Sequence, residues 1–223
     1  MRPKKLARPA TAGALFFALT AHGAENAPAQ IDRSPFTAKP EEPRIGVRRC
    51  KLDVRAGTRT AVVGTVAPGA AGITVSLQVR HGRWKPIDRD RTDAFGHFKL
   101  RERLRRTGSA KVRVRVAGGP GVRPGRRRLG RLNVYRYAYA SWYGPGLYGN
   151  LLGCGGTLGP GTLGVAHRTL PCGTKVTLRR GNRSIRVPVI DRGPYVGGRE
   201  YDLTAATAQW LDFHGHGPIL VTR

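Results

Sequence analysis

The stretch V-P-V-I-D-R-G-P-Y (187–195), with A-H-R-T-L-P-C-G-T (166–174) before it and Y-D-L-T-A-A-T-A (201–208) after it, decides how the C-terminal part of this chain is read. Residues 175–178 and 184–190 alternate apolar and polar, which is the period of a half-buried strand. Between them Arg180, Gly181 and Asn182 supply a turn favouring positive φ, so the two strands form a hairpin. After this hairpin, Asp202 has the side chain of a helix N-cap for a short helix over 203–211, whose residues Leu203, Ala206, Trp210 and Leu211 would face a core; capping is the favoured role for Asp202, with catalysis as the alternative. A compact barrel is one arrangement in which strands this short close their own edges.

Upstream, residues 60–66, 73–79 and 111–116 also alternate, with Ile73, Val75, Leu77 and Val79 on one face. Trp84 in the following strand is expected in the core. T-D-A-F-G-H-F (92–98) places a turn before a further strand. Strands joined by short loops close naturally as a small β-sandwich, and G-T-V-A-P-G, R-W-K-P-I and T-D-A-F-G-H-F resemble pieces of immunoglobulin-like and carboxypeptidase-regulatory-like sandwiches at the level of the fold. The whole chain is therefore expected to be mainly β. Its 31 glycines, 16 prolines and 39% hydrophobic residues suit short strands and turns.

The predicted organisation is a secretory signal peptide over 1–23, a Pro/Ala/Glu linker over 24–43, a basic sandwich over 44–136 and the barrel over 138–223. The signal peptide is read from Arg2, Lys4, Lys5 and Arg8, the apolar run 10–21, and the small residues Ala21 and Gly23. That run is short of the roughly 20 residues a membrane span needs. No cysteine follows it closely enough for a lipid anchor, so no stable membrane insertion is expected after cleavage. The mature protein should work outside the cytoplasmic membrane. Three cysteines in an exported chain imply one disulfide and one left over. The predicted pair is Cys154 with Cys172, both in the C-terminal part; Cys50 is left either to pair between molecules or, as the commoner fate, to sit buried and inert.

Forty Lys and Arg against 13 Asp and Glu give a formal charge of +27. Such a chain is drawn to polyanions. It shows no recognition helix, aromatic RNP-type strand or zinc module, so no specific nucleic-acid partner is expected. The basic residues concentrate in the middle part, with a run at Arg123, Arg126, Arg127, Arg128 and Arg131. That surface is either simply solvated or an attachment to anionic wall polymers and peptide-stem carboxylates. A polyanion binder acting through the middle part alone would lose affinity steeply with salt.

A-S-W-Y-G (140–144), A-H-R-T-L-P-C-G-T, D-R-G-P-Y and Y-D-L-T-A-A-T-A, in this order and spacing, resemble the RlpA-like family, whose fold is a six-stranded double-psi β-barrel with one short helix. The resemblance covers about the last two fifths of the chain. It implies a groove for peptidoglycan glycan strands and lytic transglycosylase activity leaving 1,6-anhydro-muramyl ends, with no cofactor and no metal. Such chemistry needs a carboxylic acid to protonate the glycosidic oxygen, and one acid can serve both steps. Asp191 is the candidate acid or base; it is equally a carboxylate suited to organising the D-R-G-P turn. His167 is the second catalytic candidate, against a purely structural hydrogen-bonding role. Tyr143 and Tyr195 are candidates for stacking on sugar rings ahead of Trp142, and Arg192 and Thr169 are substrate-binding candidates by their place in the motifs. Many relatives carry acidic residues before the histidine where this chain has Gly156 and Gly159. That departure favours a second reading, a non-catalytic expansin-like polysaccharide-binding module.

Overall fold

The computed structural model describes residues 39–223; the signal peptide and most of the linker read from the sequence lie outside the described residues. Three strands, β1 (Arg44–Lys51), β3 (Thr58–Ala67) and β6 (His97–Leu104), form one antiparallel sheet in the order β1-β3-β6. Facing it are β5 (Arg83–Arg91), β4 (Thr74–His81), β7 (Gly108–Val116) and the first half of β8 (Gly125–Tyr143), with the short β2 (Asp53–Arg55) pairing parallel to β8. Between the sheets lies one core that takes Val62, Val66, Phe98 and Leu100 from the first sheet and Val75, Leu77, Val112 and Val114 from the second. The alternation read over 73–79 holds, since Ile73, Val75, Leu77 and Val79 are all buried.

β8 is 19 residues long and belongs to two structures at once. Its first half pairs with β7, and from Arg136 onward it pairs with β13 (Gly217–Val221) and β12 (Tyr201–Thr204). β10 (Lys175–Arg180), β11 (Arg183–Asp191) and β9 (Val165–Ala166) complete the ring β8-β13-β10-β11-β9-β12, and β12 returns to β8, so six strands close on themselves. Closure removes the open edges that such short strands would otherwise expose. The barrel's core is built from Ala140, Val165, Val176, Leu178, Val189, Tyr201, Leu203 and Ile219 among others. Where the two cores meet, the Asp53 carboxylate accepts hydrogen bonds from the Tyr135 hydroxyl and the Asn133 amide, both at 2.9 Å, and faces Arg179 of β10 at 3.5 Å.

Four local expectations are corrected. The helix α1 spans Ala205–Trp210 and is capped by Thr204, whose hydroxyl accepts from the Thr207 N–H; Asp202 sits in β12 instead, because the strand continues through it to pair with β8. Trp210 is exposed, on the outer side of α1, while Leu203 and Leu211 are buried. Trp84 is half-buried on the outer face of its sheet, since its register partner is the outward Arg80. Cys50 is exposed on β1, an edge strand that among the described residues pairs only with β3. The lone helix is six residues long; among the described residues no helix is long and apolar enough to cross a membrane.

Candidate active site

The barrel's strand alternation explains how a polar site arises on an apolar core. Tyr201, Leu203, Val165 and Val189 point into the core, so Asp202 and Ala166 point the other way; a β-bulge between Val189 and Asp191 shifts the register by one residue and brings Asp191 level with Ala166. Register then aligns them: Asp202 pairs with both Ser141 and Ala166, and Asp191 pairs with Ala166. Ser141, Asp202, Ala166 and Asp191 therefore form one row across four strands, with the smallest side chain between the two carboxylates. Tyr143 lies two residues beyond Ser141 on the same face.

Each member of the row is held differently. Asp191 Oδ1 accepts two backbone N–H groups, from Gly153 at 2.7 Å and from Arg192 at 2.8 Å. Gly153 can approach this closely because it lacks a side chain: a Cβ there would stand 3.0 Å from Asp191 Oδ1 and 2.9 Å from Arg192 Cγ. Asp202 accepts from the Ser141 hydroxyl at 2.9 Å. Burial pushes the Asp202 carboxyl above its usual range and the charge of Asp191 adds to this, against the Ser141 hydrogen bond and Arg199. The Tyr143 hydroxyl is buried. Burial, then the charges of Asp191 and Asp202, push its pKa up, yet no hydrogen bond of good geometry closes between Tyr143 and either carboxylate.

A second cluster adjoins the first. His167 is buried, and its Nδ1 accepts the N–H groups of Thr169 (3.1 Å) and Leu170 (3.0 Å). Two donors on Nδ1 require that nitrogen unprotonated, so the neutral ring carries its proton on Nε2. Nε2 faces Glu200 Oε1 at 3.7 Å, and the ring packs against Tyr201 with centroids 4.9 Å apart. Burial lowers the His167 pKa, and Glu200 opposes that. Glu200 in turn makes a bidentate ion pair with Arg136, which holds its carboxyl below the usual range. Neither Glu200 nor Arg136 stood out in the sequence. They lie 64 residues apart, and the only clue was the position of Glu200 beside the Y-D-L-T motif.

His167 and Asp191 meet through the backbone, the His167 N–H donating to Asp191 O at 3.2 Å; no side-chain hydrogen bond joins them. Arg192 directs its guanidinium to the carbonyls of His167 (3.1 Å) and Leu170 (2.8 Å) and to Cys172 Sγ (2.9 Å), so it clamps the 167–172 turn. Thr169 is exposed on that turn, and Tyr195 is 80% exposed just beyond it. Cys154 and Cys172 form the disulfide, with Cα atoms 5.6 Å apart. It ties the loop carrying Gly153 to the turn carrying His167. Gly156 is exposed with φ +82°, and a Cβ there would meet nothing within 4 Å; at Gly159 it would meet only Thr162 Oγ1, at 3.6 Å. Among the described residues no group of His, Cys, Asp and Glu could hold a metal ion.

A family model described as lytic transglycolase matches residues 136–222. The probable endolytic peptidoglycan transglycosylase RlpA of Synechocystis sp. is 46% identical over 80 residues, covering 35% of this chain and 25% of that protein. The Campylobacter jejuni endolytic peptidoglycan transglycosylase RlpA is 44% identical over 80 residues, covering 35% and 29%. The Aquifex aeolicus probable enzyme is 36% identical over 100 residues, covering 44% of each. The chain thus spans between a quarter and under half of the length of these relatives. Among solved structures, the Streptomyces papain inhibitor overlaps 40% of this chain and 92% of its own at 25% identity and a TM-score of 0.32. The closed six-stranded ring, the motif order and the match over 136–222 agree: the C-terminal part of this chain belongs to the RlpA-like double-psi β-barrel family.

Proposed function

We propose that the protein works in the cell envelope on peptidoglycan glycan strands, and that its barrel cleaves them as a lytic transglycosylase. The observation that carries this reading is the row Ser141–Asp202–Ala166–Asp191, which sets two half-buried carboxyl groups on one face with only an alanine between them. Asp202, whose carboxyl is pushed above its usual range by burial and by the charge of Asp191, can store a proton for this row. That proton goes to the glycosidic oxygen as the C1–O bond breaks; the muramyl 6-hydroxyl then closes on C1 and returns its own proton to the carboxylate. One carboxyl pair serves both steps, and no water enters the product.

Asp191 carries the acid/base step in this reading, held in place by its two backbone donors. Asp202 is the proton store beside it, and Tyr143 lies two residues beyond Ser141 on the same face. His167 and Arg192 act by shaping the 167–172 turn, from which Thr169 reaches the strand, while Tyr195, outside that turn, stacks on a sugar ring. The basic half of the molecule holds the protein on anionic wall polymers.

The test is digestion of purified sacculi by the mature protein, with mass spectrometry of the released muropeptides for 1,6-anhydro ends. Asp191→Asn should abolish release while leaving sacculus binding intact, and His167→Ala should reduce it. If the wild type binds sacculi and releases nothing over buffer, the expansin-like reading replaces this one. Gly156 and Gly159, standing where relatives carry acids, are the observation that favours it.

A further inference from the structure

The outer face of the sheet β5-β4-β7-β8 carries a charge pattern that the barrel site does not use. On β7, Val112, Val114 and Val116 enter the core, and Lys111, Arg113 and Arg115 face outward. Register sets these three opposite Arg131, Arg128 and Arg126 of β8. Three pairs of like charge therefore stand directly across from one another, an arrangement that destabilises a sheet. Successive pairs lie about 7 Å apart along the strands. Among the described residues none of the six makes an ion pair with an acid.

Two of the cations are also fixed in place. The Arg113 guanidinium lies 4.2 Å from the centroid of the Trp84 ring, and its Nε donates to Gln78 Oε1 at 2.9 Å. Gln78 is itself braced by Ser76 at 3.2 Å. This leaves the two terminal nitrogens of Arg113 without a protein acceptor among the described residues. Arg131 is held by Ser109, Nε to the hydroxyl at 2.9 Å and Nη2 to the carbonyl at 2.7 Å. Burial, and then Arg126, Arg115 and Arg128, hold the Arg113 pKa below the usual range, which reports the mutual repulsion. Lys111, Arg113, Arg126, Arg128 and Arg131, with Trp84, line a depression of about 390 Å³. A merely solvated surface mixes both signs of charge; this one aligns a single sign and orients it.

We infer that this face binds a linear phosphodiester polymer of the cell wall, a polyol-phosphate chain laid along β7 and β8 so that successive phosphates meet successive cation pairs. The inference rests on the envelope reading above but not on the barrel's chemistry. A phosphate backbone fits because arginine forks recognise its oxygens bidentately, and because a charge on every short polyol unit can meet a pair every 7 Å or so. Peptide-stem carboxylates, one stem per disaccharide at most, are too sparse for that. Nucleic acid fits poorly because the aromatic ring on this face, Trp84, is already covered by Arg113 and offers bases no stacking platform.

The experiment titrates the full mature chain against end-labelled poly(glycerol phosphate) over a series of salt concentrations, beside single-stranded DNA and polygalacturonate of matched charge. Poly(glycerol phosphate) should bind tightest, with affinity falling steeply with salt. The double variant Arg126→Gln/Arg128→Gln should weaken binding about tenfold at low salt and reduce the salt slope by about one to two, with Tm unchanged or raised because repulsion is relieved. Arg105→Gln/Arg106→Gln, which removes the same charge from an exposed loop, should bind nearly as the wild type does. Asp191→Asn should also bind as the wild type, so polymer binding and glycan cleavage fail separately. Equal weakening by the two double variants would reduce the effect to net charge and overturn the site. DNA or polygalacturonate binding as tightly as poly(glycerol phosphate) would overturn the ligand. A fall in Tm for Arg126→Gln/Arg128→Gln would show that the arginines serve the fold.

Discussion

Replacing Cys154 and Cys172 together by serine, in a Cys50→Ser background that prevents mispairing, should lower stability and loosen the site in a way that separates cleavage from binding. The disulfide closes a sequence separation of 18, and the chain-entropy model puts the stabilisation from a loop of that size at about 3 kcal/mol. In a chain of this length each kcal/mol moves the midpoint by about 2–4 °C, so Tm should fall by roughly 6–12 °C. The bridge also anchors chemistry. Cys154 donates its N–H to Ile190 O at 3.1 Å, its neighbour Gly153 donates to Asp191 Oδ1 at 2.7 Å, and Cys172 Sγ accepts from Arg192. Without the bridge, the Gly153 donor and the 167–172 turn are no longer tied, and Asp191 loses part of what orients it. Release of 1,6-anhydro products should therefore drop severalfold more than sacculus binding does. Thermal unfolding followed by circular dichroism, with and without reductant, gives the first number, and parallel digestion and pull-down give the second. A Tm change under about 2 °C, or cleavage and binding falling in proportion, would refute the argument that this bridge holds the proposed catalytic carboxylate.

Two further tests concern the carboxyl groups of the site, one present and one introduced. The folded-state pKa of Asp202 lies above its unfolded value, so the native state binds the extra proton and wild-type stability falls as pH rises from about 4 toward the raised value. Asp202→Asn should thus gain on the wild type between pH 4 and pH 7 in a Tm series while losing product release; a Tm difference independent of pH would count against the buried-acid reading. Gly156→Asp enters open space at φ +82°, a conformation Asp tolerates at a cost of about 1 kcal/mol. If the absent acid limits cleavage, release should rise at least about tenfold, and unchanged release would mean that Gly156 is not the limiting departure.

Much was legible because period-2 alternation follows directly from strand geometry. Residues 73–79, 111–116, 175–178 and 184–190 carry that signal, and each falls within or overlaps a strand of the structure. Asp202 was misread for a physical reason: capping preference is local, whereas four register contacts with β8 keep residues 201–204 extended and pass the cap to Thr204. Trp84 was misread because composition says a tryptophan wants burial but not which face of the sheet it occupies; pairing with Arg80 turned it outward, under Arg113.

By itself, the amino-acid sequence determined the mainly β character, the pairing of Cys154 with Cys172, and the motifs that mark the C-terminal part as RlpA-like, because these depend on local spacing and residue chemistry. Only the tertiary structure decided that β8 runs unbroken through both cores, that Asp191 and Asp202 share one row across Ala166, that Glu200 and Arg136 support His167, and that the basic residues stand in opposed pairs. Each of these is a matter of strand register between segments distant in the chain, and register is set by which faces the packed core can bury.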